Sequence, residues 1–209
     1  MRIFLLFILS FLTFPILAQQ IAQFRGPSRD GCYPEKGLLK KWPDAGPTLA
    51  LQIAGIGKGY SQPIVYKGVI YTTGIKKDTM DVISAYDLKG KLLWDKVYSH
   101  AWANSFPDTR STPTIENDKV YLIGGMGTVC CLDAQNGDIL WSQDAHNQFK
   151  GQYHKWGVAE SVLLTDQAAV YVTGGDVTSV VAYDKISGKL LWKTKSLGGP
   201  RAYASSSLI

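Results

Sequence analysis

The sequence predicts an all-β fold built from a four-stranded antiparallel unit that recurs about every fifty residues. Three observations carry this prediction. First, one kind of hairpin occurs three times: Ala85-Tyr86-Asp87-Leu88-Lys89-Gly90-Lys91-Leu92-Leu93-Trp94, then Cys131-Leu132-Asp133-Ala134-Gln135-Asn136-Gly137-Asp138-Ile139-Leu140-Trp141, then Ala182-Tyr183-Asp184-Lys185-Ile186-Ser187-Gly188-Lys189-Leu190-Leu191-Trp192. Second, other landmarks keep the same interval: Ser61, Ser111 and Ser161 open apolar stretches, and Tyr71, Tyr121 and Tyr171 lie in the next ones. Third, beyond the first residues no stretch has the 3.6-residue period of an amphipathic helix. Four strands repeating at this period are the signature of a β-propeller blade.

Taken in order, the chain opens on a predicted signal peptide over residues 1–18. Arg2 is a short positive region, Ile3 to Phe14 is an apolar run, Pro15 ends it, and Ala18 is a small residue at which cleavage is expected. The run is too short to span a bilayer comfortably, and no second one follows. An export signal predicts a periplasmic or extracellular protein, soluble once the signal is removed. Residues 19–48 read as an arm punctuated by Gly and Pro, with Phe24-Arg25-Gly26-Pro27-Ser28-Arg29-Asp30-Gly31 at its centre.

The propeller is predicted over 49–209. Leu49 to Ile53 is a short strand candidate without a blade of its own, in the place of an outermost strand. Blades follow at about 60–98, 110–145 and 160–196, each with a turn after its first strand: Tyr66-Lys67-Gly68, Glu116-Asn117-Asp118 and Thr165-Asp166-Gln167. In the repeated hairpin Asp opens the turn, and Asn136-Gly137 is expected to supply positive φ angles. Tyr203-Ala204-Ser205-Ser206-Ser207-Leu208-Ile209 resembles the opening of the first blade and starts the next. A propeller must close or leave apolar blade faces open, so the chain is expected to be part of a larger closed propeller.

Charge and cysteines narrow the function classes. The net charge of +5 is spread over scattered Lys and Arg, which gives no basic stripe for nucleic acid. Three cysteines, Cys32, Cys130 and Cys131, make no disulfide framework, and no Cys-x-x-Cys or His-x-x-x-His offers metal-ligand spacing. His100, His146 and His154 fall between repeats and are expected in solvent. No Gly-x-Ser-x-Gly nucleophile motif is present.

The repeated hairpin resembles the PQQ-like propeller repeat, the family named for quinoprotein alcohol dehydrogenases, through its pattern Ala-x-Asp-x-x-x-Gly-Lys-x-x-Trp. The third unit matches at Ala182, Asp184, Gly188, Lys189 and Trp192. The second matches at Asp133, Gly137 and Trp141, with Cys131 for Ala and Asp138 for Lys. The first matches at Ala85, Asp87, Gly90, Lys91 and Trp94 with one residue deleted. The resemblance implies that each Trp packs between blades and that these residues are structural. The kelch propeller is the rival, through Gly124-Gly125 and Gly174-Gly175, but it lacks the turn glycine between Asp and Trp.

Two functions follow from the resemblance. One is an exported, non-enzymatic binding or assembly scaffold, similar to the BamB-like outer-membrane assembly factors. The other is a PQQ-dependent alcohol dehydrogenase, which needs PQQ, calcium with 6–8 oxygen ligands and a general base. No carboxylate cluster beyond the hairpin Asp residues suggests such a site, so no catalytic residue, no metal ligand and no cofactor is assigned. Those enzymes also carry a vicinal disulfide against the quinone. Cys130 and Cys131 instead lie within a strand, where neighbours point to opposite faces, so two small apolar fillers are expected.

A ligand is expected where inner strands begin, at one mouth of the central channel. The residue before each strand-opening Ser is Tyr60, Arg110 or Glu160, and Tyr203 holds the matching place in the next unit, with Trp156 and Arg201 nearby. Such a set suits a protein partner or a small anionic or sugar-like ligand. The structural alternative is that Arg110 and Glu160 neutralise each other across blades while the tyrosines plug the channel.

Overall fold

The computed structural model describes residues 21–208, so the predicted signal peptide lies outside the described residues. Three sheets form, each antiparallel and each using four consecutive strands. The first holds β1 (Ile64–Tyr66), β2 (Val69–Lys76), β3 (Met80–Asp87) and β4 (Leu92–His100). The second holds β5 (Thr114–Glu116), β6 (Lys119–Ile123), β7 (Thr128–Asp133) and β8 (Ile139–Asp144), followed by one helical turn, α1 (Ala145–Gln148). The third holds β9 (Leu163–Leu164), β10 (Ala168–Val172), β11 (Val180–Asp184) and β12 (Leu190–Lys193). The blades fall where the fifty-residue period puts them. Lys67-Gly68 and Asn117-Asp118 take the paired positive φ angles of tight hairpin turns.

The repeated hairpin has a repeated irregularity. The register between third and fourth strands shifts after Ala85, after Cys131 and after Ala182. In each case the leucine before the tryptophan drops out of the pairing, and Trp94, Trp141 and Trp192 stand opposite Ala85, Cys131 and Ala182. A bulge re-aims the side chain that follows it. It also explains the small residue in the pattern, because an indole crosses the strand at that position. The opening aspartates cap the turns: Asp87 Oδ1 accepts from the amides of Lys89 and Lys91, and Asp133 Oδ1 from those of Gln135 and Asn136. Only glycine takes the left-handed conformation there. Gly137 has φ 75°, whereas Asn136, expected to share it, keeps a negative φ and accepts the Asp138 amide with its side chain.

Trp94 and Trp141 each dock on the next blade. A Cβ built on Gly137 would meet the Trp94 ring at 2.6 Å, and one on Gly188 would meet the Trp141 ring at 2.7 Å. The ring nitrogens complete the contact: Trp94 Nε1 donates to the Ala134 carbonyl and Trp141 Nε1 to that of Lys185. The tyrosine landmarks converge on the same carbonyls, Tyr71 OH on Ala134 and Tyr121 OH on Lys185. The apolar core divides accordingly. One cluster lies between the first two blades, with Tyr71, Ile83, Cys130 and Leu132, and a second between the next two, with Tyr121, Cys131, Trp141, Tyr171 and Tyr183.

The segment before the first blade corrects one expectation. Leu49 to Ile53 forms no strand. Leu51 and Ile53 lie on Gly90, within 3.1 and 3.5 Å of where its Cβ would be. They take on the first blade the place that Trp94 and Trp141 take on later ones. Ile56 and Gly57 then run close over Gly74, and Lys58 bridges Ile75. Val82, Ser84 and Tyr86, on the outer side of the first blade, are accordingly buried rather than open.

The arm touches the first-strand edge of all three blades. Ala22 exchanges both backbone hydrogen bonds with Ile115 of β5. The Arg25 amide donates to Gln62 before the first blade, and the Arg29 guanidinium donates to the carbonyls of Ser161 and Val162 at the third. Amide-to-hydroxyl hydrogen bonds link the blades at the same level: Gln62 to Thr112, Thr112 to Ser161, and Ser161 to Ser205.

Candidate functional site

Two long connections come together between the blades. Residues 101–113 join the first blade to the second, and residues 149–162 join the second to the third. Connections of this length without secondary structure are commonly binding loops. They are pinned together from beneath. Trp102 Nε1 donates to Ser105 Oγ, which donates to the Lys155 carbonyl at 2.6 Å. Trp102 packs on Tyr153 with ring centres 5.1 Å apart, and Tyr153 stacks on His146 at 3.6 Å. Gly157 is required there, since a Cβ would stand 2.4 Å from the Trp102 ring.

On the upper side, Arg110 is the hub. Its guanidinium donates to the carbonyls of Trp156 and Phe106 and lies 6.0 Å from the Tyr203 ring. Trp156 meets Tyr203 edge-on at 5.6 Å and His154 at 5.0 Å, and Lys155 Nζ sits 4.5 Å over the Trp156 ring. The Tyr60 amide donates to the carbonyl of Thr109, beside Arg110, and the Tyr60 side chain is 81% exposed. Arg110, Trp156, Tyr203 and the Tyr60 backbone are therefore drawn together. Phe106 and Lys155 join them without having been singled out in the sequence, where the length of these loops was the available signal, and His154, expected in solvent, joins them by packing on Trp156.

Glu160 and Arg201 belong elsewhere. The expected Arg110–Glu160 pair does not form. Glu160 is 1% exposed and pairs with Arg201 at 2.5 Å. Its carboxylate also accepts from the Val172 amide and from Ser206 Oγ, while Arg201 donates to the Tyr171 hydroxyl. Burial pushes the Glu160 carboxyl up to about 7, against the pull of Arg201, these hydrogen bonds and Arg29. The physical reason for the correction is supply. Arg201 reaches Glu160 from the segment after the third blade, and Arg110 is already committed to two loop carbonyls. Tyr60 and Tyr203 are both exposed.

Cys130 and Cys131 stand back to back, one in each core cluster, both buried and unpaired. Burial pushes both thiols up, that of Cys131 to about 12, which favours the protonated thiol in each. Cys32 is exposed and free. Asp81, buried, accepts from the Gly125 amide and Thr109 Oγ1 at 2.7 Å each and ties the first blade to the second, with its carboxyl raised by burial. His100 is exposed as expected; His146 and His154 are half-buried in the loop stack. Among the described residues no group of three or more His, Cys, Asp or Glu is placed to hold a metal ion. Nor is any helix there long and apolar enough to cross a membrane.

Blades docked by tryptophan on glycine, with an aspartate-capped turn, define a PQQ-repeat β-propeller. Residues 79–208 match the family profile described as outer membrane protein assembly factor BamB, and the chain belongs to that family. It is 30% identical to outer membrane protein assembly factor BamB of Kangiella koreensis over 67% of this chain and 33% of that protein. It is 29% identical to quinohemoprotein alcohol dehydrogenase ADH IIB of Pseudomonas putida over 67% of this chain and 20% of that one. The chain thus spans a third or less of these relatives. Among solved structures, quinohemoprotein alcohol dehydrogenase from Comamonas testosteroni superposes with a TM-score of 0.53 at 21% identity, over 67% of this chain and 22% of that one. A europium-containing methanol dehydrogenase gives 0.56 at 19% identity, over 70% and 26%. At these identities the likeness is one of fold.

Proposed function

We propose that the chain belongs to an exported, non-enzymatic propeller that binds a partner or a small anionic or sugar-like ligand at the channel mouth. One observation carries this reading: Arg110, Trp156 and Tyr203, remote in sequence, converge around a single guanidinium held by two loop carbonyls. Pre-set polar and aromatic groups at a channel end are the usual make-up of a recognition site. The family supports the scaffold class, since the Kangiella koreensis relative is by name an assembly factor.

The Pseudomonas putida relative, an alcohol dehydrogenase, favours a second reading with PQQ and calcium. The residues of these blades do not fit that group. Cys130 and Cys131 face opposite blade interfaces and cannot lie together against a quinone. The buried carboxylates Asp81 and Glu160 are separately consumed by an amide and a hydroxyl and by an arginine. The separating experiment incubates the purified chain with PQQ and calcium, then follows quinone absorbance through gel filtration and dye-linked alcohol oxidation. The scaffold reading expects neither retained quinone nor turnover. Calcium-dependent retention of the quinone with alcohol oxidation would overturn it.

A further inference from the structure

The mouth differs from what the sequence suggested in one chemical respect: its carboxylate is gone. Glu160 is withdrawn into a buried pair with Arg201, which leaves Arg110 and Lys155 as the cations, with Asp108 on the Arg110 loop and the buried Asp81, on which Arg110 acts and which Thr109 and Gly125 already occupy. Around them stand aromatic rings at different depths, Trp156 half-buried, Tyr203 and Tyr60 exposed, and Phe106 67% exposed.

Phe106 adds an independent observation. Its backbone is left-handed, with φ 44°, a conformation that is strained for a bulky side chain. The conformation is held because the Phe106 carbonyl accepts both from Arg110 and from the Asp108 amide at 2.7 Å. A loop that only joined two blades would gain nothing by holding a large apolar ring out in water in a strained conformation. The stack of Trp102, Tyr153 and His146 beneath fixes the two loops relative to each other, so the rings are presented in advance and little ordering cost remains for binding.

Resting on the mouth as the binding site, we infer that its ligand is an acidic oligosaccharide, whose pyranose faces lie on Trp156, Tyr203 and Phe106 while a carboxylate pairs with Arg110 and Lys155. Ring faces of sugars are apolar and match aromatic faces, and a guanidinium fixed by its other hydrogen bonds still offers donors in a plane suited to a carboxylate. Lys155 over Trp156 sets a second positive charge beside the same ring.

The test is titration calorimetry on the full chain with a galacturonate trisaccharide, its methyl-esterified form and a triglutamate peptide. The galacturonate should bind, with affinity falling as salt is raised. The neutral ester should bind at least tenfold more weakly. Trp156→Ala and Lys155→Gln should each weaken galacturonate binding severalfold or more, the second being an exposed change that leaves the fold intact by circular dichroism. Equal binding of acid and ester, or no binding of either sugar, overturns the acidic-sugar inference. Binding of triglutamate without the sugars, lost in both variants, overturns the inference but retains the mouth as a site. Sugar binding undiminished in both variants overturns the mouth itself.

Discussion

Trp141 and Trp192 hold the same place in successive blades and have different surroundings. Each stands opposite a small residue, Cys131 or Ala182, after the same register shift. Trp141 is 7% exposed, lies on Gly188 and donates to the Lys185 carbonyl. Trp192 is 46% exposed. The tyrosines diverge in parallel. Tyr121 reaches the Lys185 carbonyl, whereas Tyr171, the equivalent in the third blade, meets the Arg201 guanidinium. The hairpin is thus a donor half of a contact whose energy depends on an acceptor half in the neighbouring blade. Repeat stability is carried by interfaces as much as by repeats.

The largest effect that this comparison predicts is at Trp141. Trp141→Ala should cost about 3–5 kcal/mol in denaturant unfolding, the range for a large buried aromatic truncated to Ala. It removes the ring from the Gly188 cradle and leaves the Lys185 carbonyl with only the long Tyr121 bond at 3.4 Å. A loss below about 1 kcal/mol would show that the interface does not depend on the indole.

Next comes the substitute contact at the third blade. Arg201→Met leaves the buried Glu160 carboxyl without its cation, which at pH 8 should cost about 3–5 kcal/mol. The pH dependence follows from the direction of the shift. Glu160 in the folded chain titrates at about 7, above the roughly 4.3 of an unfolded glutamate. Its contribution to stability is therefore full below about pH 4.3 and is lost as pH rises through 7. Without Arg201 the folded value moves higher still, so the penalty of the variant should shrink markedly at pH 5, where the carboxyl is neutral. Melting curves at pH 5 and pH 8 check this; an equal penalty at both would show that Arg201 acts by packing alone.

These two sites also mark what could be read in the sequence. The docking hairpins were legible because period, turn glycine and tryptophan are local features that recur, and a recurring local feature has a recurring geometric cause. The opposed faces of Cys130 and Cys131 were legible for the same reason, since alternation is a property of any strand. The partner of Glu160 was not. It was sought at Arg110, fifty residues away by the repeat, and found at Arg201, which comes from a segment with no repeat signal. Arg29 was equally hidden, because an arginine in a Gly/Pro-rich arm reads as solvated until its carbonyl partners at the third blade are known. The mouth was half legible: repeat spacing located Tyr60, Arg110 and Tyr203, but Phe106, His154 and Lys155 are brought there by loop pinning that no period encodes. Leu49 to Ile53 was misread as an outermost strand, and its place on the first blade's turn was not anticipated. Leu51 fills the tryptophan's position on Gly90 without any ladder to hold it.

The smallest expected effect sharpens the comparison most. Trp192→Ala in this chain should cost about 1 kcal/mol or less, because stabilisation scales with the apolar area removed from water and nearly half of this ring remains in water. Surface substitutions away from packed features usually fall near that range. The ring is not wholly idle: it borders a cleft with Leu191 and Leu208, so a value of zero is not expected either. The informative quantity is the difference between the two tryptophans under one protocol, since both alter the same residue in the same local geometry and differ only in whether a glycine turn lies opposite. If Trp192→Ala costs as much as Trp141→Ala, then the ring is buried in solution by something other than a docked turn, and self-association measured by sedimentation would identify a second copy as the cover. If it costs little, the stability of each docking hairpin resides in the blade it faces.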